Sequence, residues 1–258
     1  MLKIGRVDYL NTLPLFFKIG DGLIEEVRGT PALLVDKLRR GEIEGGIVSS
    51  VEFIINHGAY CIIPGISISS KRRICSVSIF SRKPIHNIES IYITEESLTS
   101  RIFTLYLLEY IYGLPVREVN DPSVADAVML IGDRALKEFY EGRWEFVYDL
   151  AEEWYKLFKL PFIFALFVFR REIVKSKRRE IQLFRREVVN SLKYFNEYIF
   201  ENDVNLNGLP PEFIKNYLTE CIDYSFTDEH LISLNKLKEI VSLYLPIKGK
   251  SSLYTSCL

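Results

Sequence analysis

Leu160-Pro-Phe-Ile-Phe-Ala-Leu-Phe-Val-Phe169 is the longest uncharged apolar run in the chain, held between Lys159 and Arg170. It is about half the length a bilayer demands, so it is not a membrane span. Its aromatic and β-branched content reads as a long buried strand, and its position decides the fold. Two successive series of alternating strand and helix signals precede it, and beyond about residue 172 only helical periodicity remains. A chain that leaves one parallel-sheet lobe for a second and returns by a long strand crosses between them twice. The crossings are placed at residues 74–82 and 160–169. The expectation is an α/β protein of two lobes, residues 1–80 with 165–258 and residues 81–164, carrying a helical C-terminal tail.

Local signals fill in the two series. Residues 3–8 read as a strand and Tyr9-Leu-Asn-Thr-Leu-Pro14 as the turn after it. Thr30-Pro31 opens a helix with a capping hydroxyl and a proline at the first helical position, and Gly41 closes it. Gly45-Gly-Ile-Val48 is a buried strand, and Ser49-Ser-Val-Glu52 fits a capping box in which Ser49 and Glu52 each satisfy an orphan amide. In the second series Ile91-Tyr-Ile93 precedes a helix opened by Ser97-Leu-Thr-Ser100, and Ala127–Ile131 feeds a helix start at Gly132-Asp133. In the tail Ile181, Phe184, Val188, Leu192, Phe195 and Ile199 recur at three or four residues, an amphipathic helix broken over 202–208.

Composition narrows the function classes. With 258 residues, 48% apolar, the chain is long enough to bury a sizeable core without a metal or disulfide staple. Thirty-three Lys and Arg against 34 Asp and Glu, with no block of like charge, disfavour a nucleic-acid binder, which needs a concentrated basic face. Cys61, Cys75, Cys221 and Cys257 form no Cys-x-x-Cys pair, and His57, His86 and His230 do not cluster, so neither redox nor zinc chemistry is indicated. The cysteines are expected to be buried or inert thiols in a reducing compartment. Charges at Lys3, Arg6 and Asp8 break any apolar signal core, which points to a cytoplasmic protein. A single glutamine, Gln182, hints at a thermophilic source.

Three predicted helix starts carry small polar residues: Ser49-Ser50, Ser97 with Thr99 and Ser100, and Gly132-Asp133. Unpaired amides and the positive dipole end make such starts receptors for carboxylate or phosphate without a formal cation. Each alone is ordinary capping. Facing one cleft with Asn11, they describe a small-anion site. Neither a catalytic triad nor a phosphate-loop or dinucleotide fingerprint is present, so no cofactor is implied. The residues by themselves leave binding and catalysis equally open.

The strings Tyr9-Leu-Asn-Thr-Leu-Pro14 and Gly41-Glu-x-Glu-Gly-Gly-Ile-Val-Ser-Ser-Val-Glu52 resemble the chorismate dehydratase family of the futalosine route to menaquinone. Further matches include Ile63-Pro-Gly-Ile-Ser67, Ser76-Val77, Ser97-x-Thr-Ser100, Ile131-Gly-Asp133, Tyr148-Asp-Leu150, Trp154 and Leu160-Pro-Phe162, covering about residues 1–170. The resemblance implies a type 2 periplasmic-binding-protein fold and loss of water from chorismate to give 3-[(1-carboxyvinyl)oxy]benzoate. Fitted to that chemistry, Asn11 is expected to be the catalytic residue, holding and orienting the reacting region by hydrogen bonds. The substrate's two carboxylates would lie on Ser49, Ser50, Ser97, Thr99 and Ser100, with Ser76 as a further donor. The partner implied is this small dicarboxylate alone, with no nucleic acid or membrane. The family's usual glycines are replaced by Arg72, Ala151 and Lys159, which implies a narrower or more cationic cleft.

Overall fold

The computed structural model describes residues 1–204, 208–247, 253 and 256–258. The first series gives β1 (Leu2–Val7), α1 (Leu13–Phe16), β2 (Ile24–Gly29), α2 (Pro31–Arg40), β3 (Gly45–Ser49), α3 (Ser50–Ile55) and β4 (Tyr60–Ser70). Helix α2 begins as its sequence dictates: Thr30 accepts from the Leu33 amide at 3.3 Å, and Gly41 ends it at φ 77°. Residues 71–76 then lead to β5 (Val77–Ser81), β6 (Ser90–Ile93), α4 (Leu98–Tyr106), β7 (Arg117–Glu118), β8 (Ala127–Ile131), α5 (Gly132–Glu141), β9 (Phe146–Asp149) and α6 (Leu150–Phe158). The apolar run returns as β10 (Phe162–Arg170), followed by α7 (Arg171–Val174), α8 (Arg178–Glu201), α9 (Pro211–Asn216) and α10 (Asp228–Tyr244). Of the break expected over 202–208, residues 205–207 lie outside the described residues.

Two five-stranded sheets result, in the orders β2-β1-β3-β10-β4 and β7-β6-β8-β5-β9. Both are mixed rather than parallel. β10 runs antiparallel to β3 and β4, and β5 runs antiparallel to β8 and β9, because each is the strand by which the chain changes sheets. Sheet membership puts all of Val77–Ser81 in the second sheet and all of Phe162–Arg170 in the first, whereas boundaries at 80/81 and 164/165 would divide both strands.

The aromatics of β10 are core. Phe162, Phe167 and Phe169 are buried, and Trp154 on α6 stacks on Phe162 at 4.6 Å between ring centroids, filling the second crossing. Helix α8 buries Ile181, Phe184, Val188, Phe195 and Ile199, and its Ser191 donates to the Pro14 carbonyl at 2.9 Å, tying the tail to α1.

The expectation of free thiols fails for one pair. Cys61 on β4 and Cys257 form a disulfide across 196 residues. Nothing in their spacing signals it; they meet because the chain end docks beside β4, where the Cys257 amide donates to the Ile62 carbonyl at 3.0 Å.

Candidate active site between the sheets

A cavity of about 80 Å³ lies between the sheets, reached by the ends of β1, β3 and β8. Asn11, Ser49, Ser97 and Ser100 line it, with Tyr9 and Glu96 beside them and Ile68 and Phe164 on its apolar side. Among the described residues no Lys or Arg lines it. Asn11 sits in a tight turn, Leu10–Thr12, fixed by the Thr12 hydroxyl donating to the Val7 carbonyl at 2.7 Å and by Tyr224 donating to the Asn11 carbonyl at 2.9 Å. The backbone is thereby immobilised while the Asn11 Oδ1 is buried without a hydrogen-bond partner. A buried amide oxygen left unpaired is costly, and a ligand group that donates to it removes that cost.

Tyr9 and Glu96 are cavity residues that sequence reasoning misses. Burial, and then the Glu96 carboxylate, push the Tyr9 hydroxyl above its ordinary value of 10, so it stays neutral and can donate. Its ring lies against Gly132, where a Cβ would come within 3.1 Å of two ring atoms; at φ 62° that backbone also favours glycine. The one signal in the sequence is that Tyr9 lies close to Asn11, which does not reveal which way a side chain turns.

The serine-rich helix starts divide by role. Ser49 caps α3, accepting from the Glu52 amide at 3.2 Å. The expected reciprocal half of the box is lost because the Glu52 carboxylate goes to Arg39, to Asn56 at 3.0 Å and to the Tyr60 hydroxyl at 3.1 Å. Ser50 turns away from the cavity and donates to the Ile163 carbonyl at 2.7 Å. Thr99 is likewise absent from the lining: its hydroxyl accepts from the Val51 amide at 3.0 Å, one of the α3 amides expected to serve a ligand carboxylate. Ser76 is buried against Tyr217, which donates to its Oγ at 2.8 Å. Ser97 caps α4 by accepting from the Ser100 amide at 3.2 Å, and the two hydroxyls stand 3.0 Å apart at the cavity wall. Asn11, Ser49, Ser97 and Ser100 are thus brought together, whereas Ser50, Ser76 and Thr99 are used in holding the structure.

Hydrogen bonds cross between the lobes at this site, among them the Val51 amide to the Thr99 hydroxyl and the Leu10 amide to Asp133 Oδ1 at 2.9 Å. Asp133, in the first turn of α5, thereby ties that helix start to the Leu10–Thr12 turn. The replaced glycines do not make the cleft cationic. The Arg72 guanidinium lies 5.9 Å and the Lys159 ammonium 5.4 Å from the Tyr155 ring centroid, outside the cavity. Lys159 ends α6 at φ 57°, the left-handed position where glycine is favoured. Ala151 donates its amide to Asp149 Oδ1 at 3.0 Å. Among the described residues no cluster of three His, Cys, Asp or Glu could hold a metal, and no helix is long and apolar enough to cross a membrane.

Comparison with known proteins agrees with this architecture. The chain is 26% identical over 238 residues, 83% of its length and 86% of the relative's, to the chorismate dehydratase of Thermus thermophilus. Among solved structures, the Candida albicans CA3427 gene product, described as having the generic periplasmic binding protein fold, superposes with a TM-score of 0.68 at 14% identity, covering 98% of this chain and 92% of that one. The periplasmic aliphatic sulphonate binding protein SsuA of Escherichia coli gives 0.64 at 12% identity, with 98% and 95% covered. A family profile described as menaquinone biosynthesis matches residues 2–242. On that match over nearly the whole chain, the protein belongs to the menaquinone biosynthesis family and is built on the periplasmic-binding-protein fold.

Proposed function

We propose that this protein is a cytoplasmic chorismate dehydratase, a hydro-lyase that converts chorismate to 3-[(1-carboxyvinyl)oxy]benzoate. The observation that carries the reading is the unpartnered Asn11 amide oxygen in a cavity walled by Ser49, Ser97 and Ser100. An asparagine amide accepts through Oδ1 and donates through Nδ2, so it can hold the departing hydroxyl and orient a carboxylate together. The Ser49, Ser97 and Ser100 hydroxyls, with the start of α4 at the cavity wall, receive the dianion without a formal cation.

The reaction makes modest demands on such a site. Aromatisation drives it, leaving the protein to orient the ring and stabilise the departing hydroxide. Among the described residues Glu96 is the one carboxylate at the cavity, and a base is also available in the substrate: its enolpyruvyl carboxylate takes the ring proton from the carbon bearing the ether oxygen, the C–H electrons form the new ring double bond as the adjacent hydroxide leaves, and the carboxyl then passes its proton to that hydroxide to give water. Asn11 holds the reacting region in that geometry.

The test is incubation of purified protein with chorismate, following loss of the diene and searching by mass for a product lighter by one water. Turnover supports the reading. Tight binding without product favours a non-catalytic small-anion binding protein, a role the same fold serves in SsuA. Absence of binding overturns both.

A further inference from the structure

The two remaining cysteines, Cys75 and Cys221, are free, and their sulfurs lie 3.3 Å apart although 146 residues separate them. Each is anchored to a different part of the molecule. Cys75 sits in the segment that leads from the first sheet to the second, at φ 63°, and its amide donates to Asp149 Oδ2 at 2.7 Å, at the start of α6. The Ile74 amide is held by the same carboxylate. Two residues beyond Cys221, Asp223 pairs with Ser69 on β4 through two backbone hydrogen bonds, 2.8 and 3.0 Å. The sulfur contact therefore bridges the hinge, from the edge of the second lobe to a segment fixed on the first sheet.

The two thiols also differ in access. Cys75 is buried, whereas Cys221 borders an open groove of about 550 Å³ lined by Lys71, Arg72 and Arg73 against the carboxylates of Glu220 and Asp223. Lys71 reaches Asp223 at 3.7 Å and Arg73 reaches Glu152 at 3.0 Å, while Arg72 stands over Tyr155. The contact with Cys75 lowers the Cys221 thiol from its ordinary value against the opposing effects of partial burial and Asp149, with the Arg73 charge acting in the same direction as the contact, while the same contact and burial raise Cys75; the thiolate is thus favoured at Cys221, the more accessible of the two.

We propose that Cys75 and Cys221 form a redox modification site that closes to an interlobe disulfide on reaction with a low-molecular-weight disulfide. The Cys221 thiolate attacks one sulfur of the small disulfide, forming a mixed disulfide and releasing one small thiolate. Cys75 then attacks the Cys221 sulfur, forming the Cys75–Cys221 bond and breaking the mixed disulfide. The two thiol protons end on the two small thiols released, so the protein dithiol is oxidised and the small disulfide is reduced. The product ties the hinge segment to the C-terminal layer. The 146-residue separation and the lack of any Cys-x-x-Cys spacing hid the pair in the sequence.

The full chain is treated with glutathione disulfide, denatured, labelled with N-ethylmaleimide and mapped by mass spectrometry, an assay independent of chorismate. Both cysteines should lose label together and be recovered as one cross-linked peptide pair, with Cys61–Cys257 unchanged. After the same treatment Cys221→Ser should leave Cys75 labelled, and oxidised wild type should unfold at higher urea than the treated variant. A glutathione adduct persisting on Cys221 beside a labelled Cys75, or full labelling of both, overturns the site. A cross-link that leaves the urea midpoint unmoved overturns the tether.

Discussion

Helices α3 and α4 open with nearly the same chemistry, serine at the cap and hydroxyls in the first turn, yet the structure uses them differently. At α3 the amides of Val51 and Glu52 are taken by Thr99 and Ser49, and Ser50 donates to β10. At α4 the Ser97 and Ser100 hydroxyls remain at the cavity wall, bonded to each other. One start is largely closed by its neighbour across the cleft and the other faces the cavity. A hydroxyl at a helix start is therefore open to a ligand only if no facing element has claimed it.

The comparison can be broken at several points. Asn11 lies between the two starts, and Asn11→Ala should lower kcat about 100-fold, as loss of a single preorganised hydrogen-bonding group does, with the circular dichroism spectrum retained. Turnover at the wild-type rate would remove Asn11 from the chemistry. Thr99→Val leaves the buried Val51 amide unsatisfied and should cost about 1–3 kcal/mol of stability, read from denaturant midpoints. If stability is unchanged, the two starts do not hold each other.

A third helix start, that of α6, offers a contrast in pH. Asp149 is buried and accepts from the amides of Ile74, Cys75, Ala151 and Glu152; burial pushes its carboxyl up to about 6 against the pull of those donors. A carboxyl raised on folding contributes stability that is fully present below its unfolded value, about 3.9, and is lost as pH rises through 6. Between those limits wild type should lose stability relative to Asp149→Asn, by no more than about 1.4 kcal/mol per pH unit. A flat difference across pH 4–6 contradicts this assignment.

Smaller effects separate the open start from the closed one. Ser100→Ala should raise KM about 3- to 10-fold, the worth of one neutral hydrogen bond, while Ser50→Ala should leave KM unchanged and cost about 1 kcal/mol of stability. Equal effects on KM would erase the distinction. Lys159→Gly should stabilise the protein by up to about 1 kcal/mol through relief of the left-handed backbone, with no change in turnover, since Lys159 lies outside the cavity.

Periodic and local features were legible without the structure because they depend on near neighbours. The Thr30-Pro31 and Gly41 limits of α2, the α8 stripe and the buried β10 run follow from capping geometry and side-chain period. The Glu52 half of the capping box did not follow, since Arg39 and Tyr60 compete for the carboxylate from outside the local window. The expected cationic cleft failed for a similar reason: Arg72 and Lys159 are near the hinge in sequence but stand over Tyr155 in space.

The sequence by itself determined two strand-and-helix series, a return strand, an amphipathic tail and the hydroxyls available at each helix start, all set by interactions within a few residues. Tertiary structure decided which hydroxyls remain at the cavity, which amides are already taken, which cysteines join and that both sheets are mixed. Those outcomes depend on what arrives from the other lobe or from the far end of the chain, and sequence spacing carries no information about such meetings.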